Sequence, residues 1–135
     1  AIVAGFLWWQ MSSQQPKIQL VNTTFEVEIL QTEEDKIRGL SGTKSLAQNR
    51  AMLFDFEHEG TWGIWMKDMN YAIDIIWTDK DGKVIHIVKD AQPSSYPDTI
   101  FRPTAPARYV IETISGTIER TGLKMGDMIT LPSGE

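Results

Sequence analysis

The chain has 135 residues, a formal charge of −5, a pI near 5.0 and no cysteine. That length suits one domain that buries roughly two thirds of its unfolded surface, and the acidic balance without a lysine or arginine run offers a nucleic-acid backbone no counterpart. Without cysteine, disulfides, thiolate nucleophiles and cysteine-based metal sites are excluded, while every cellular compartment stays open.

The first stretch, Ala1 to Trp9 (AIVAGFLWW), is apolar and uncharged, but shorter than the roughly 20 residues a spanning helix needs. It reads as the last half of an N-terminal membrane anchor or signal segment whose beginning is missing, with Trp8 and Trp9 at the membrane interface. The alternative is an ordinary core strand or a frayed end. An anchor ahead of a small acidic domain implies a membrane-anchored or secreted protein on the extracytoplasmic side. Gln10 to Pro16 (QMSSQQP) is polar and aperiodic, so residues 1–16 form anchor plus tether and residues 17–135 a single β domain.

Within the domain, Ile18 and Leu20 predict a short strand, and Phe25, Val27 and Ile29 alternate with Glu26 and Glu28 as a half-exposed one. Thr32 can cap a helix with Glu33, Glu34 and Asp35 in its first turn, Lys36 and Arg38 in its last and Gly39 at its end. Ser41 to Arg50 is a polar loop. Successive strand residues point to opposite faces, so Ala51 to Glu57 carries Met52, Phe54 and Phe56 on an apolar face. Trp62 to Asp68 is expected as a further strand, with Trp62, Ile64 and Met66 opposite Gly63, Trp65 and Lys67.

Asp79-Lys80-Asp81-Gly82-Lys83 has the Asp and Gly of a tight hairpin turn. A three-residue loop puts Ile75 and Trp77 with Ile85 and Ile87 on one face. Asp74, Ile76 and Thr78 then lie with Val84, His86 and Val88 on the other. Both faces are mostly apolar, so the hairpin is expected at the centre, where Asp74 and His86 need partners. Asp90 to Pro106 holds four prolines and no period, the mark of a binding loop or a surface wrap. Ala107 to Ile114 is a strand with Arg108, Val110 and Glu112 on one face, Gly116 to Gly122 a short helix closed by glycine, and Met128 to Leu131 a last strand. About seven short strands and two small helices predict a mainly β fold, a small antiparallel sandwich or barrel-like domain.

The motifs Arg38-Gly39-Leu40, Met52-Leu53-Phe54, Trp65-Met66-Lys67, Asp74-Ile75-Ile76, Asp81-Gly82, Tyr109-Val110-Ile111-Glu112 and Gly126-Asp127 follow one another in the order of domain of unknown function family 192. From about Thr24 to Leu131 the chain resembles that family. The resemblance implies a β-sandwich-like domain, often behind a signal or anchor, and brings no function with it. Ser41 after Leu40, Ala72 before the Asp74 motif and Asp68 after Lys67 depart from the family pattern. The carboxylate of Asp68 stands where the family has an amide, and if the family site uses an uncharged hydrogen-bonding group there, it would change the ligand charge preference or pair with Lys67 itself.

Two readings of the polar residues compete. In the first, Trp65, Lys67, Asp68, Asn70 and Asp74, with Arg108 and Glu112, line a pocket for a small polar ligand such as a sugar, with the proline loop as its lid. In the second they form a buried ion-pair network in which Lys67 or Arg108 neutralises Asp74 or Glu112. His58 and His86 lack ligand spacing, so no metal or cofactor is implied, and Ser94 and Ser95 lack a nucleophile elbow. Paired carboxylates, Asp68 with Asp74 or Asp74 with Glu112, are the remaining catalytic idea, as acid and base on an envelope glycan. Phe54, Phe56, Trp62 and Trp77 follow strand parity and read as core. The function expected is therefore a non-catalytic extracytoplasmic module that binds a small envelope ligand or a membrane-proximal partner protein. A glycan hydrolase and a structural accessory subunit of a membrane complex are the rivals.

Overall fold

Alternating apolar residues give six strands that join one open sheet in the computed structural model, which describes residues 15–132. The strands are β1 (Lys17–Leu20), β2 (Thr23–Leu30), β3 (Arg50–Gly60), β4 (Ile73–Thr78), β5 (Val84–Ala91) and β6 (Ala107–Ile114), in the order β1-β2-β3-β6-β4-β5. Two short helices, α1 (Glu33–Arg38) and α2 (Thr117–Thr121), complete the mainly β fold that the sequence predicts. The apolar stretch Ala1 to Trp9 lies outside the described residues.

The sheet is mixed, not wholly antiparallel. β2 and β3 run parallel, because α1 and the polar loop after it carry the chain back to the end of the sheet where β2 began. Among the described residues no second sheet covers the first; helices and loops cover both faces instead. On one face Phe25, Val27, Leu53, Ile76 and Ile111 pack with Ile118 of α2 and with Leu123 and Ile129. On the other, Met52, Phe54, Ile75, Trp77 and Val110 pack with Leu40, Ile64 and Met66. With apolar cover on both sides, every residue of β4 is buried.

The turn after β4 forms as expected: the Asp79 carboxylate accepts the amides of Asp81 (2.9 Å) and Lys83 (3.0 Å), and Gly82 has φ +93°. A Cβ at Gly82 would also collide with the carbonyl oxygen of Ile129. The register beyond the turn differs from the expected one. Trp77 lies opposite His86, Ile76 opposite Ile87 and Ile75 opposite Val88, with irregularities between Trp77 and Thr78 and between Ile73 and Ile75. One extra residue on β5 reverses its parity, as a bulge must. β4 is central, whereas β5 is an edge strand and half-buried.

Two expected strands do not form ladders. Ile64 pairs with Phe101 through reciprocal 2.8 Å hydrogen bonds and Met128 and Thr130 make single bridges to Lys83 and Gln19. Antiparallel extension from Ile64 and Phe101 would place Pro103 opposite Trp62, and proline has no N–H to donate. The Trp62 carbonyl instead accepts the Trp77 indole N–H at 2.9 Å. The alternation survives without the ladder, since Ile64 and Met66 are buried while Trp65 and Lys67 are exposed.

Candidate functional site

Helix α1 is short and held at both ends. The Thr32 hydroxyl accepts the Asp35 amide (3.1 Å), and the Gly39 amide closes the helix on the Asp35 carbonyl (2.8 Å). Gly39 has φ +49°, and a Cβ there would stand 3.1 Å from the Phe54 ring, so the helix end rests on an aromatic residue of β3. The extended segment around Ile64 crosses the same face, and the space left between the two is a cleft of about 300 Å³. Leu40, Phe54, Phe56 and Ile64 line it, together with Glu112 and the exposed side chains Trp65 and Ile100.

Glu112 is the unusual member of that lining. It sits on β6 between Met52 of β3 and Ile75 of β4 and is 4% exposed. Its carboxyl makes no hydrogen bond or ion pair among the described residues. Burial alone pushes its pKa up to about 8, so at neutral pH it is mostly a protonated acid with one O–H to donate.

Cations surround the opening, and two are committed elsewhere. Lys36 pairs with Glu33 (3.2 Å), donates to the Asp55 carbonyl (3.2 Å) and stands 4.8 Å from the Phe56 ring centre. Arg38 pairs with Asp35 at 2.9 Å. Arg102 donates to the Thr61 carbonyl (3.0 Å) and meets no carboxylate among the described residues. Gly63 makes room for it: a Cβ there would come within 2.7 Å of Ile100 and 3.2 Å of the Arg102 guanidinium.

The residues singled out in the sequence divide into three places. Trp65 and Glu112 line the cleft. Lys67, Asp68 and Asn70 lie beside it and hold the loop after α1: the Lys67 carbonyl accepts the Ser41 hydroxyl (2.7 Å), the Asp68 carbonyl accepts the Gly42 amide (2.9 Å) and the Asn70 amide donates to the Thr43 carbonyl (2.8 Å). Lys67 also places its ammonium 5.4 Å from the Trp65 ring. Arg108 pairs with Asp55 at 3.2 Å, away from both Asp74 and Glu112.

Asp74 is on the opposite side of the sheet. Ile75 stands opposite Glu112, so Asp74, one residue earlier, faces the other way. Its two oxygens accept the Asp90 and Ile118 amides, each at 2.8 Å. Asp74 and Glu112 therefore cannot flank one glycosidic bond. The ion-pair network does not form either: backbone amides satisfy Asp74 and protonation neutralises Glu112.

By strand parity Phe54 and Phe56 read as core, and nothing in the alternation marks Leu40, Ile100 or Arg102 for the site. The Arg38-Gly39-Leu40 motif was the available signal, because it marks where the helix end meets the sheet. The proline loop does reach the opening, where the Tyr96 ring meets Trp65 edge-on at 5.5 Å. His58 and His86 pack edge-on against Trp62 and Trp77, and no metal-binding group of side chains occurs among the described residues.

The family model described as DUF192, Uncharacterized ACR, matches residues 16–131. No curated protein matches the chain. Among solved structures, a Sinorhizobium meliloti 1021 protein, named provisionally as a transcription regulator, superposes with a TM-score of 0.80 at 26% identity over 86% of this chain and 92% of that one. A protein of unknown function from Novosphingobium aromaticivorans DSM 12444 superposes with a TM-score of 0.78 at 24% identity, over 84% of this chain and 83% of that one, and shows the fold alone.

Proposed function

This chain belongs to the DUF192 family of uncharacterised proteins, and from the cleft between α1 and the Ile64 segment we propose that it is a non-catalytic module that binds a small ligand. One observation carries the reading: a cleft of about 300 Å³ is lined by Glu112, an acid 4% exposed whose carboxyl has no partner among the described residues, and by Trp65, an indole 43% exposed beside Tyr96 and Lys67. A concave lining of apolar residues with several polar groups among them suits small-molecule recognition. A buried polar group without a partner is a group for a ligand to satisfy.

The separation of Asp74 from Glu112 speaks against one of the two carboxylate pairs a glycan hydrolase would use, and the engagement of both Asp74 oxygens by backbone amides speaks against the other, Asp68 with Asp74. A partner protein is the second reading, favoured by Ile37, Trp65 and Ile100, which line the cleft with 69%, 43% and 49% of their surface exposed. We further propose that the apolar, uncharged Ala1 to Trp9 stretch tethers the domain to a membrane on its extracytoplasmic side, where an envelope ligand or a membrane-proximal protein would be met. No helix among the described residues is long and apolar enough to cross a membrane. The Sinorhizobium protein's provisional label does not extend to this chain in our reading, because an acidic domain without a basic run lacks an electrostatic footprint for nucleic acid.

The test is a titration of the chain with a chemically mixed panel of small acids, amines, alcohols and sugars, followed by melting temperature and by the Trp65 indole N–H resonance, assigned with Trp65→Phe. Binding is expected to raise the melting temperature and move that resonance. Trp65→Ala should weaken binding about ten-fold, as loss of an aromatic anchor does, and leave the fold intact. Ligands that bind without moving the Trp65 resonance, and with equal affinity for Trp65→Ala, would remove the cleft from the proposal.

A further inference from the structure

We propose that the ligand is a small organic anion: a carboxylate on a short aromatic or apolar body, with its charged end at Arg102 and a neutral oxygen at its other end accepting a hydrogen bond from Glu112. The inference rests on the small-ligand reading of the cleft and names the ligand's chemical class.

Charge and position both point this way. The charged groups that line the cleft are Glu33, Lys36, Arg38, Arg102 and Glu112. Glu33 is taken by Lys36, and Arg38 is taken by Asp35 just outside the lining. That leaves Arg102 as the lining cation without an acidic partner among the described residues, and Gly63 lets its guanidinium lie against the backbone at the opening. An anion entering the cleft gains a charge-assisted hydrogen bond there, whereas an ammonium ion meets like charge.

The same cleft is lined by Leu40, Phe54, Phe56, Ile64 and Trp65, which suit an apolar or aromatic body. At Glu112 the ligand must present something a buried neutral acid can use. A protonated carboxyl donates one short hydrogen bond to a neutral oxygen without moving charge into the apolar floor. An ammonium group there would have to draw an ionised carboxylate into the same apolar surroundings, between Met52 and Ile75. Tyr71, whose own pKa is raised mainly by burial and in small part by the Glu112 charge, is the titratable neighbour that senses Glu112. Its hydroxyl is engaged with the Thr43 hydroxyl at 2.7 Å.

Three probes share a 4-hydroxyphenyl group and differ at the other end: 4-hydroxyphenylacetate, tyramine and tyrosol carry a carboxylate, an ammonium and an alcohol. Each is titrated into the full chain at pH 6.5 and followed by the Trp65 indole resonance. The expected result is that the carboxylate binds about ten-fold more tightly than either of the others, and that Arg102→Gln reduces it to the affinity of the alcohol. The carboxylate's affinity should also fall as the pH passes through about 8 in the wild type and stay level in Glu112→Gln. Equal affinity for all three probes, or tightest binding of tyramine, would overturn the anion proposal and leave the small-ligand reading standing. If no probe moves the Trp65 resonance, the anion proposal is overturned. The small-ligand reading falls with it only if the mixed panel is silent as well.

Discussion

Glu112 shows how one residue's surroundings decide its chemistry. On a surface strand it would be an ordinary carboxylate. On β6, with Met52 and Ile75 as its cross-strand neighbours, it keeps its proton to a pH of about 8. The unfolded chain releases that proton near the ordinary value of 4.5. Between those two values the folded state binds more protons than the unfolded state, so stability falls as pH rises, and it is level for this group above and below the window. We expect the wild-type melting temperature to drop between about pH 5 and pH 9 by an amount that reflects a few kcal/mol, roughly 10 °C. Glu112→Gln, which cannot ionise, should flatten that drop and be the more stable protein at pH 9. Parallel pH profiles for the two proteins, measured by circular dichroism, would show that Glu112 is ionised at little cost.

At the scale of elements, Asp74 joins pieces that sequence proximity does not. Its oxygens take the amide of Asp90, where β5 bulges with φ +56°, and the amide of Ile118 in the first turn of α2. Asp90 in turn accepts the Ser115 hydroxyl at 2.6 Å, so β4, β5 and the approach to α2 are tied at one point. Asp74→Asn replaces one acceptor oxygen with a donor and can satisfy only one of the two amides. The expected cost is about 2 kcal/mol, or roughly 6 to 10 °C in melting temperature. Probe binding at the cleft should be unchanged, because Asp74 lies on the other face. A loss of probe affinity in the folded variant would mean that the two faces are coupled.

For the whole molecule, the sheet order sets where stability is concentrated. β6 and β4 have paired neighbours on both sides and apolar cover above and below, while β1 and β5 are edges. Amide hydrogen exchange should therefore be slowest in β6 and β4 and faster along β5, with the shortest lifetimes in the loop between Ser41 and Arg50. β5 amides as slow as those of β6 would contradict an edge position. The cleft sits between the loop-and-helix layer and the central strands. A ligand that bridges Arg102 and Glu112 would connect the less protected part of the molecule to its most protected part.

Local chemistry was legible in the residues themselves. Thr32 and Gly39 bound α1, Asp79 and Gly82 make the turn after β4, and β6 runs from Ala107 to Ile114 as its alternation predicts. These depend on neighbours a few positions away, so the sequence by itself determined them, and the ordered motifs determined the family. Tertiary structure decided the rest. The bulge that reverses the parity of β5, the parallel pairing of β2 with β3 and the failure of the Trp62 to Asp68 ladder opposite Pro103 each depend on what lies across the sheet. The same holds for the site. Asp74 and Glu112 look alike as acids in apolar strands, and only the pairing of Ile75 with Glu112 sends them to opposite faces. There one meets two backbone amides and the other an open cleft. Strand alternation says which residues share a side, but the partner strand decides what that side faces.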